Sequence, residues 1–165
     1  MVPVLIGVVI VCVILSAFFS SCEIAYSSVS RIRLKKEAEE GNKKAEAALK
    51  IIDNYSQTLS TILIGNNLVN ILISSVGTII LTRLMTNYDE DIISITSILL
   101  FTIILLIFLD ILPKAFANKN SHFLALFYTR IYNFFRIVFF PITWLVNKML
   151  GRILRKFKHK EDLLN

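Results

Sequence analysis

The sequence has 165 residues, of which 55% are hydrophobic and five are glycine, and its mean hydropathy is +0.67. These values exclude an ordinary soluble domain and indicate a single helical membrane domain. The net charge of +6 comes mostly from the C-terminal tail. We assign that charge to membrane topology and to attraction for an anionic lipid leaflet, and not to nucleic-acid binding.

Three apolar stretches are each long enough to cross about 30 Å of hydrocarbon at about 1.5 Å per residue. They predict transmembrane spans at about 2–28, 57–83 and 92–117. Basic residues collect in 31–57 and beyond residue 114, and Lys and Arg favour the cytoplasmic side of a membrane. We therefore expect a multi-pass protein of the cell membrane with its N-terminus outside, "TNYDED" in the outer loop and its C-terminus inside.

The segment 31–55 between the first two spans is rich in Ala, Lys and Glu and is interrupted at Gly41 and Asn42. Acids precede bases at the favourable i,i+4 spacing twice: Glu39 with Lys43, and Glu46 with Lys50. This pattern predicts a cytoplasmic helical hairpin.

The region 122–150 after the third span is apolar, but Arg130, Arg136 and Pro141 interrupt it, and no charge-free stretch in it is long enough to span. Its aromatic residues lie among basic ones, as in helices at a membrane interface. We predict an amphipathic, in-plane belt helix over 122–150, followed by a basic tail or linker at 151–165.

Polar residues in the first span follow spacings of four and three, so they line one face of a helix. This seam consists of Ser16, Ser20, Glu23, Ser27 and Ser30. A carboxylate at the centre of a membrane helix costs about 2.5 to 3.5 kcal/mol on insertion scales. The seam is therefore expected to face protein or water.

The other two spans also carry polar groups, at a matching depth in the inner half of the bilayer. Asn66 and Asn70 share one face of the second span, with Gly65 beside them, and Asp110 precedes Pro113 in the third span. Because proline has no N–H, it leaves the carbonyl of the residue four positions earlier without its helical partner. That carbonyl is the one that directly precedes the aspartate.

Hydroxyl, amide, carboxylate and carbonyl oxygens from the three spans form an all-oxygen set. Hard cations such as Mg²⁺, Ca²⁺ or Na⁺ prefer such ligands. The candidate ligands are Ser20, Asn66, Asn70, the carbonyl of Leu109 and Asp110. Weaker candidates are Ser21, Glu23, Ser27 and Gly65.

Each of these groups also has a packing interpretation. Serines commonly mediate helix packing in membranes, and Asn66 and Asn70 could join helices by hydrogen bonds. The carboxylates could instead form ion pairs: Asp110 with Lys114, and Glu23 with Arg31 or Lys35. The joint occurrence of the groups at one depth favours an ion site.

Three stretches, "FFSSCEIAYSSVSRIRL", "LIGNNLVN" and "FLDILPKAFA", resemble the signatures of the membrane domain of the CNNM (cyclin M)/CorC family over residues 1–150. The resemblance implies Mg²⁺ transport, proposed as Na⁺-coupled export, by a homodimer. It also implies cytosolic CBS modules, which are not among these 165 residues. By resemblance the metal ligands are Ser20, Asn66, Asn70, the Leu109 carbonyl and Asp110.

The sequence departs from the family pattern at two places. Family members usually carry Gly-Glu where this chain has Leu109 and Asp110, and they often carry Ser where Cys22 stands. The shorter carboxylate changes the reach of the proposed ligand.

We predict an ion transporter that works by alternating access, and not an enzyme. The alternative is a non-transporting membrane Mg²⁺ sensor or anchor that regulates a partner through the hairpin. An intramembrane hydrolase ranks last, because both histidines lie outside the spans.

Overall fold

A computed structural model describes residues 2–84, 90–146 and 148. Within these residues the chain is helical and contains no β-strand. The elements are α1 (Val2–Ser28), α2 (Arg31–Glu39), α3 (Lys43–Asp53), α4 (Tyr55–Leu84), α5 (Glu90–Ile104), the π segment (Leu105–Ile111), α6 (Leu112–Lys119), α7 (Ser121–Val138) and α8 (Phe140–Val146). The predicted tail at 151–165 and most of the predicted outer loop lie outside the described residues.

Three stretches of helix are long and apolar enough to cross a membrane: Pro3–Ser28, Tyr55–Arg83 and Ile95–Lys119. They correspond to α1, to α4, and to the consecutive α5, π segment and α6. The prediction of an all-helical membrane protein with three candidate spans is therefore confirmed. A fourth span would require α7 and α8 together, and these two helices are bent by 73° relative to each other.

The turn between α2 and α3 depends on two adjacent residues. Gly41 has a φ of +94°, a left-handed conformation that side chains with a Cβ rarely adopt. Asn42 then caps α3, because its side-chain oxygen accepts hydrogen bonds from the backbone N–H groups of Lys44 (3.0 Å) and Ala45 (3.3 Å). The two residues that interrupt the helical pattern in the sequence thus build the turn of the hairpin.

One of the two predicted i,i+4 pairs forms within the hairpin. Lys50 donates to Glu46 at 2.7 Å, and this hydrogen bond lowers the pKa of the exposed Glu46 carboxyl. Glu39 and Lys43 instead fall on opposite sides of the turn, one at the end of α2 and the other at the start of α3. Their i,i+4 spacing therefore does not place them on one helix face.

The region predicted as one belt helix over 122–150 contains two helices over its described part. The chain turns at Phe139, where the direction of the helix changes by 73°. Pro141 lies in the first turn of the second helix, where a missing N–H costs nothing. Thr143 restarts the helical hydrogen bonding by donating its backbone N–H to the carbonyl of Phe139 at 2.9 Å.

Aromatic contacts hold α7 against the long helices. The hydroxyl of Tyr132 donates to Thr58 at 3.1 Å, and its ring meets that of Tyr26 edge-on, with centroids 5.7 Å apart. One turn earlier, the ring of Tyr128 meets that of Phe18 at 4.9 Å. Edge-to-face pairs of this kind stabilise packing beyond the area they bury. Helix α7 is therefore fastened to both α1 and α4.

Helices α1 and α4 pack closely at Gly65. A Cβ added to this glycine would lie under 3.0 Å from ring atoms of Phe19, well inside van der Waals contact. Phe19 is 1% exposed, and its ring is enclosed by those of Phe135 at 4.9 Å and Phe139 at 6.3 Å. The ring has no room to retreat, so a larger residue at this position would separate the two helices.

We expect Gly65→Ala to destabilise the protein by about 1 to 3 kcal/mol, the usual effect of overpacking a filled core. Unfolding of the purified protein in mixed micelles with increasing SDS would measure this change. Gly7→Ala is the matched control, because nothing lies within 4 Å of a Cβ at that position. Equal unfolding midpoints for the two variants would contradict the assignment of Gly65 to close packing.

Candidate cation site between three helices

Ser16 of α1 joins the two asparagines of α4. Its hydroxyl donates to the side-chain oxygen of Asn70 at 2.8 Å and lies 3.3 Å from that of Asn66. Ser16 is 1% exposed, so the contact lies inside the helix interface. Two amide oxygens from successive turns of α4 therefore lie around one serine hydroxyl.

Ser20, one turn further along α1, joins the third span. Its hydroxyl donates to Oδ1 of Asp110 at 3.1 Å, and the serine is fully buried, at 0% exposure. The ammonium of Lys114 lies 2.9 Å from the same carboxylate oxygen and 3.1 Å from Oε2 of Glu23. One ammonium therefore bridges two carboxylates that come from different helices.

The two clusters lie side by side on one face of α1. Ser16 and Ser20 are separated by one helical turn, about 6 Å along the axis. Because each serine bonds a different neighbouring helix, the asparagine oxygens and the Asp110 carboxylate are held against the same stretch of α1. The structure thus brings together candidate ligands that are up to 90 residues apart in the sequence.

The π segment sets the position of Asp110. Its wider turn is closed by the N–H of Leu112, which donates to the carbonyl of Ile107, five residues earlier. Pro113 follows at once and cannot donate to the carbonyl of Leu109, four residues earlier. π-Helical segments inside α-helices are frequently found at functional sites. The sequence did not predict this π geometry, and a free Leu109 carbonyl stays a prediction.

Two of the weaker candidates have other partners. Ser21 donates to the carbonyl of Ala17 at 2.7 Å and lies 2.8 Å from the hydroxyl of Tyr128. Either hydroxyl can be the donor in this contact between α1 and α7. Ser27 is exposed and donates to the carbonyl of Ile24 at 3.2 Å. Ser21 therefore helps to join α1 to α7, and Ser27 bonds the backbone of its own helix; among the described residues neither contacts another candidate ligand.

Sequence reasoning missed the roles of two residues. The polar seam predicted from the sequence includes Ser16, but the predicted ligand set does not, although Ser16 contacts both asparagines. The sequence predicts Lys114 as a possible partner of Asp110 alone and Arg31 or Lys35 as that of Glu23; in the structure Lys114 binds both carboxylates. In the sequence, the i,i+4 spacing from Asp110 to Lys114 indicates that the lysine lies beside the site.

The chemistry of the site suits a hard cation. Among the described residues, no group of three or more His, Cys, Asp or Glu side chains could hold a metal ion. The donors that converge are hydroxyl, amide and carboxylate oxygens, which favour Mg²⁺, Ca²⁺ or Na⁺ over soft metals. The side chains of Asp110 and Lys114 are 36% and 30% exposed, so the carboxylate is not enclosed by the helices of this chain.

The family model that describes the cyclin M transmembrane N-terminal domain matches residues 7–163. The chain belongs to the cyclin M (CNNM) transmembrane-domain family. This family membership and the three apolar helices show a multi-pass membrane protein, as the signature stretches indicated.

Bacterial proteins of the same kind are similar over most of the CNNM chain. A UPF0053 protein of Haemophilus influenzae is 37% identical over 140 residues, covering 85% of this chain and 32% of the relative. The UPF0053 inner membrane protein YfjD of Escherichia coli is 33% identical over 150 residues, covering 91% and 34%. A polyamine export protein of Salmonella typhimurium is 33% identical over 169 residues, covering 94% and 38%. The chain spans about a third of the length of these relatives.

We expect Ser16→Ala to destabilise the protein by about 0.6 to 1.5 kcal/mol, because the Asn70 oxygen loses its hydrogen-bond donor. SDS unfolding in mixed micelles would measure the change. Ser27→Ala is the matched control on the same helix, since the Ser27 hydroxyl bonds only its own backbone. An equal effect of the two substitutions would show that the Ser16 contact contributes nothing between helices.

Proposed function

We propose that this CNNM-family chain transports a hard divalent cation, Mg²⁺ in the first place, across the membrane, with export coupled to Na⁺. The observation that supports this proposal most directly is the convergence on α1 of oxygens from α4 and the π segment. Asn70 and Asp110 reach the same helix face through Ser16 and Ser20. Polar and charged groups are costly in a bilayer, and those that occur there often mark ion or substrate pathways.

The proposed mechanism follows from the origin of the ligands. Ser20, Asn66, Asn70, the Leu109 carbonyl and Asp110 would replace water around the ion. Because these groups belong to three separate helices, a change in helix packing alters their mutual distances. Alternating access of this kind uses interrupted helices whose freed backbone groups line the ion site. The π segment and Pro113 are such an interruption in the third span.

The proposed setting is a cell membrane, with the N-terminus outside and the basic end of the chain inside. The positive-inside tendency supports that orientation. A homodimer and cytosolic CBS modules belong to the proposal by family membership. The basic residues of α7 and of the tail would lie against the anionic leaflet.

We expect Asp110→Asn to reduce Mg²⁺ flux into proteoliposomes about tenfold or more, because a charged ligand is worth about 1.5 to 3 kcal/mol. Asn70→Ala should reduce the flux several-fold. Asp53→Asn is the matched control, since it also neutralises a carboxylate, but one that pairs with Arg31 in the hairpin. Wild-type flux in both site variants would overturn the proposed site.

A binding measurement separates transport from sensing. Calorimetric titration of the same proteins with Mg²⁺ should show binding to the wild type and weaker binding to Asp110→Asn. Binding that is lost in the variant, together with no flux in the wild type, would favour the alternative of a membrane Mg²⁺ sensor or anchor.

A second candidate substrate is an organic polycation. Asp110 and Glu23 already bind a primary ammonium, that of Lys114, at 2.9 and 3.1 Å. Lysine carries its ammonium on a four-carbon chain, as a short diamine does. Two relatives bear the name polyamine export protein. We therefore propose primary alkylammonium ions as the alternative cargo.

The two cargoes make different demands on Glu23. We expect Glu23→Gln to reduce the flux of radiolabelled putrescine about tenfold if the ammonium of a diamine uses both carboxylates. Putrescine flux in proteoliposomes, with and without competing Mg²⁺, would measure this. No putrescine flux in the wild type, beside measurable Mg²⁺ flux, would exclude the diamine.

A further inference from the structure

Lys114 places a positive charge where the transported cation is proposed to bind. Its ammonium lies 2.9 Å from Oδ1 of Asp110, the oxygen that also accepts the hydroxyl of Ser20 at 3.1 Å. That oxygen therefore has two donors already. An incoming cation that uses it must replace the ammonium.

Electrostatics makes simultaneous occupancy unfavourable. Asp110, Glu23 and Lys114 together carry one net negative charge, so a bound Mg²⁺ would leave an excess of one positive charge. In the low dielectric of a membrane interior, two cations at one carboxylate repel strongly. The ammonium and the metal ion therefore exclude each other at Asp110.

Glu23 provides the second position for the ammonium. Oε2 of Glu23 lies 3.1 Å from Nζ of Lys114, so the ammonium can keep one carboxylate when it leaves the other. The lysine side chain has a flexible four-carbon stem, and its shift needs no movement of the backbone. Lys114 and Asp110 are both on the third span, so the exchange breaks an ion pair within that span and keeps the ionic link to Glu23 on α1.

We propose that Lys114 is a tethered counter-cation that occupies Asp110 when no ion is bound and transfers to Glu23 when the cargo arrives. This inference rests on the proposed transport function and adds a device that sets the affinity of its site. Lys114 lowers the affinity for the cargo, and it helps release, because its return to Asp110 expels the ion. Glu23 is then a positioning residue for Lys114 and not a ligand.

We expect Lys114→Met to bind Mg²⁺ roughly fivefold more tightly than the wild type in calorimetric titration, because a competing ion pair worth about 1 kcal/mol is removed. Lys114→Arg keeps the charge and is the matched control, with an affinity close to wild type. An unchanged or weaker affinity in Lys114→Met would overturn the proposal. Absence of Mg²⁺ binding to the wild type would instead overturn the proposed function.

The second arm tests Glu23 in two backgrounds. Glu23→Gln should weaken Mg²⁺ binding about fivefold in the wild type, because the ammonium loses its alternative partner. In Lys114→Met the same substitution should have a much smaller effect. Equal losses in both backgrounds would make Glu23 a direct ligand and contradict the exchange.

A measurement of Tm with and without Mg²⁺ distinguishes the exchange from a purely structural ion pair, even if Lys114→Met is less stable than the wild type. Lys114→Met should have a lower Tm without Mg²⁺, where two carboxylates lack their partner, and a larger increase in Tm on adding Mg²⁺ than the wild type. A purely structural ion pair would lower the Tm by the same amount with and without Mg²⁺, and that result would overturn the proposal.

Discussion

The buried hydroxyls of Ser16 and Ser20 are the interaction on which this structure depends. The rest of α1 is mostly apolar. Because lipid tails are equally apolar, burying this surface against another helix gives little free energy and does not specify which face of α1 is packed. The two serines make one face specific, because each donates to a polar group of a different span. The close contact at Gly65 lets α4 approach near enough for the asparagines to reach Ser16.

Much of the architecture was predictable because lipid imposes strict conditions on a sequence. Apolar runs of spanning length gave the three long helices, and Gly41 with Asn42 gave the turn of the hairpin. The break at Phe139 was not predicted, although Pro141 was noted. A proline can end one helix or begin the next, and the choice here depends on how α7 packs its tyrosines on α1 and α4.

The sequence predicted most residues of the candidate site but few of the contacts between them. Helical periodicity shows which face of a helix a residue is on, but not which part of a neighbouring helix lies opposite it. Ser27 shares the seam with Ser20, yet it lies at the end of α1 and donates to the backbone of its own helix. The position of the Lys114 ammonium depends on a flexible side chain that could reach several partners. Only the packed helices show that Glu23 and Asp110 flank it.

The order of synthesis gives the α1 hydrogen bonds a further consequence. Ser16 and Ser20 bond residues that are 54 and 90 positions later in the chain. At a ribosomal rate of about 5 to 20 residues per second, the partner of Ser20 is made roughly 5 to 20 s after the serine itself. During that interval the first helix leaves the ribosome with its polar seam unmatched. Until the third span is complete, these hydroxyls can bond water, the insertion machinery or the carbonyls of their own helix, as Ser21 does with Ala17.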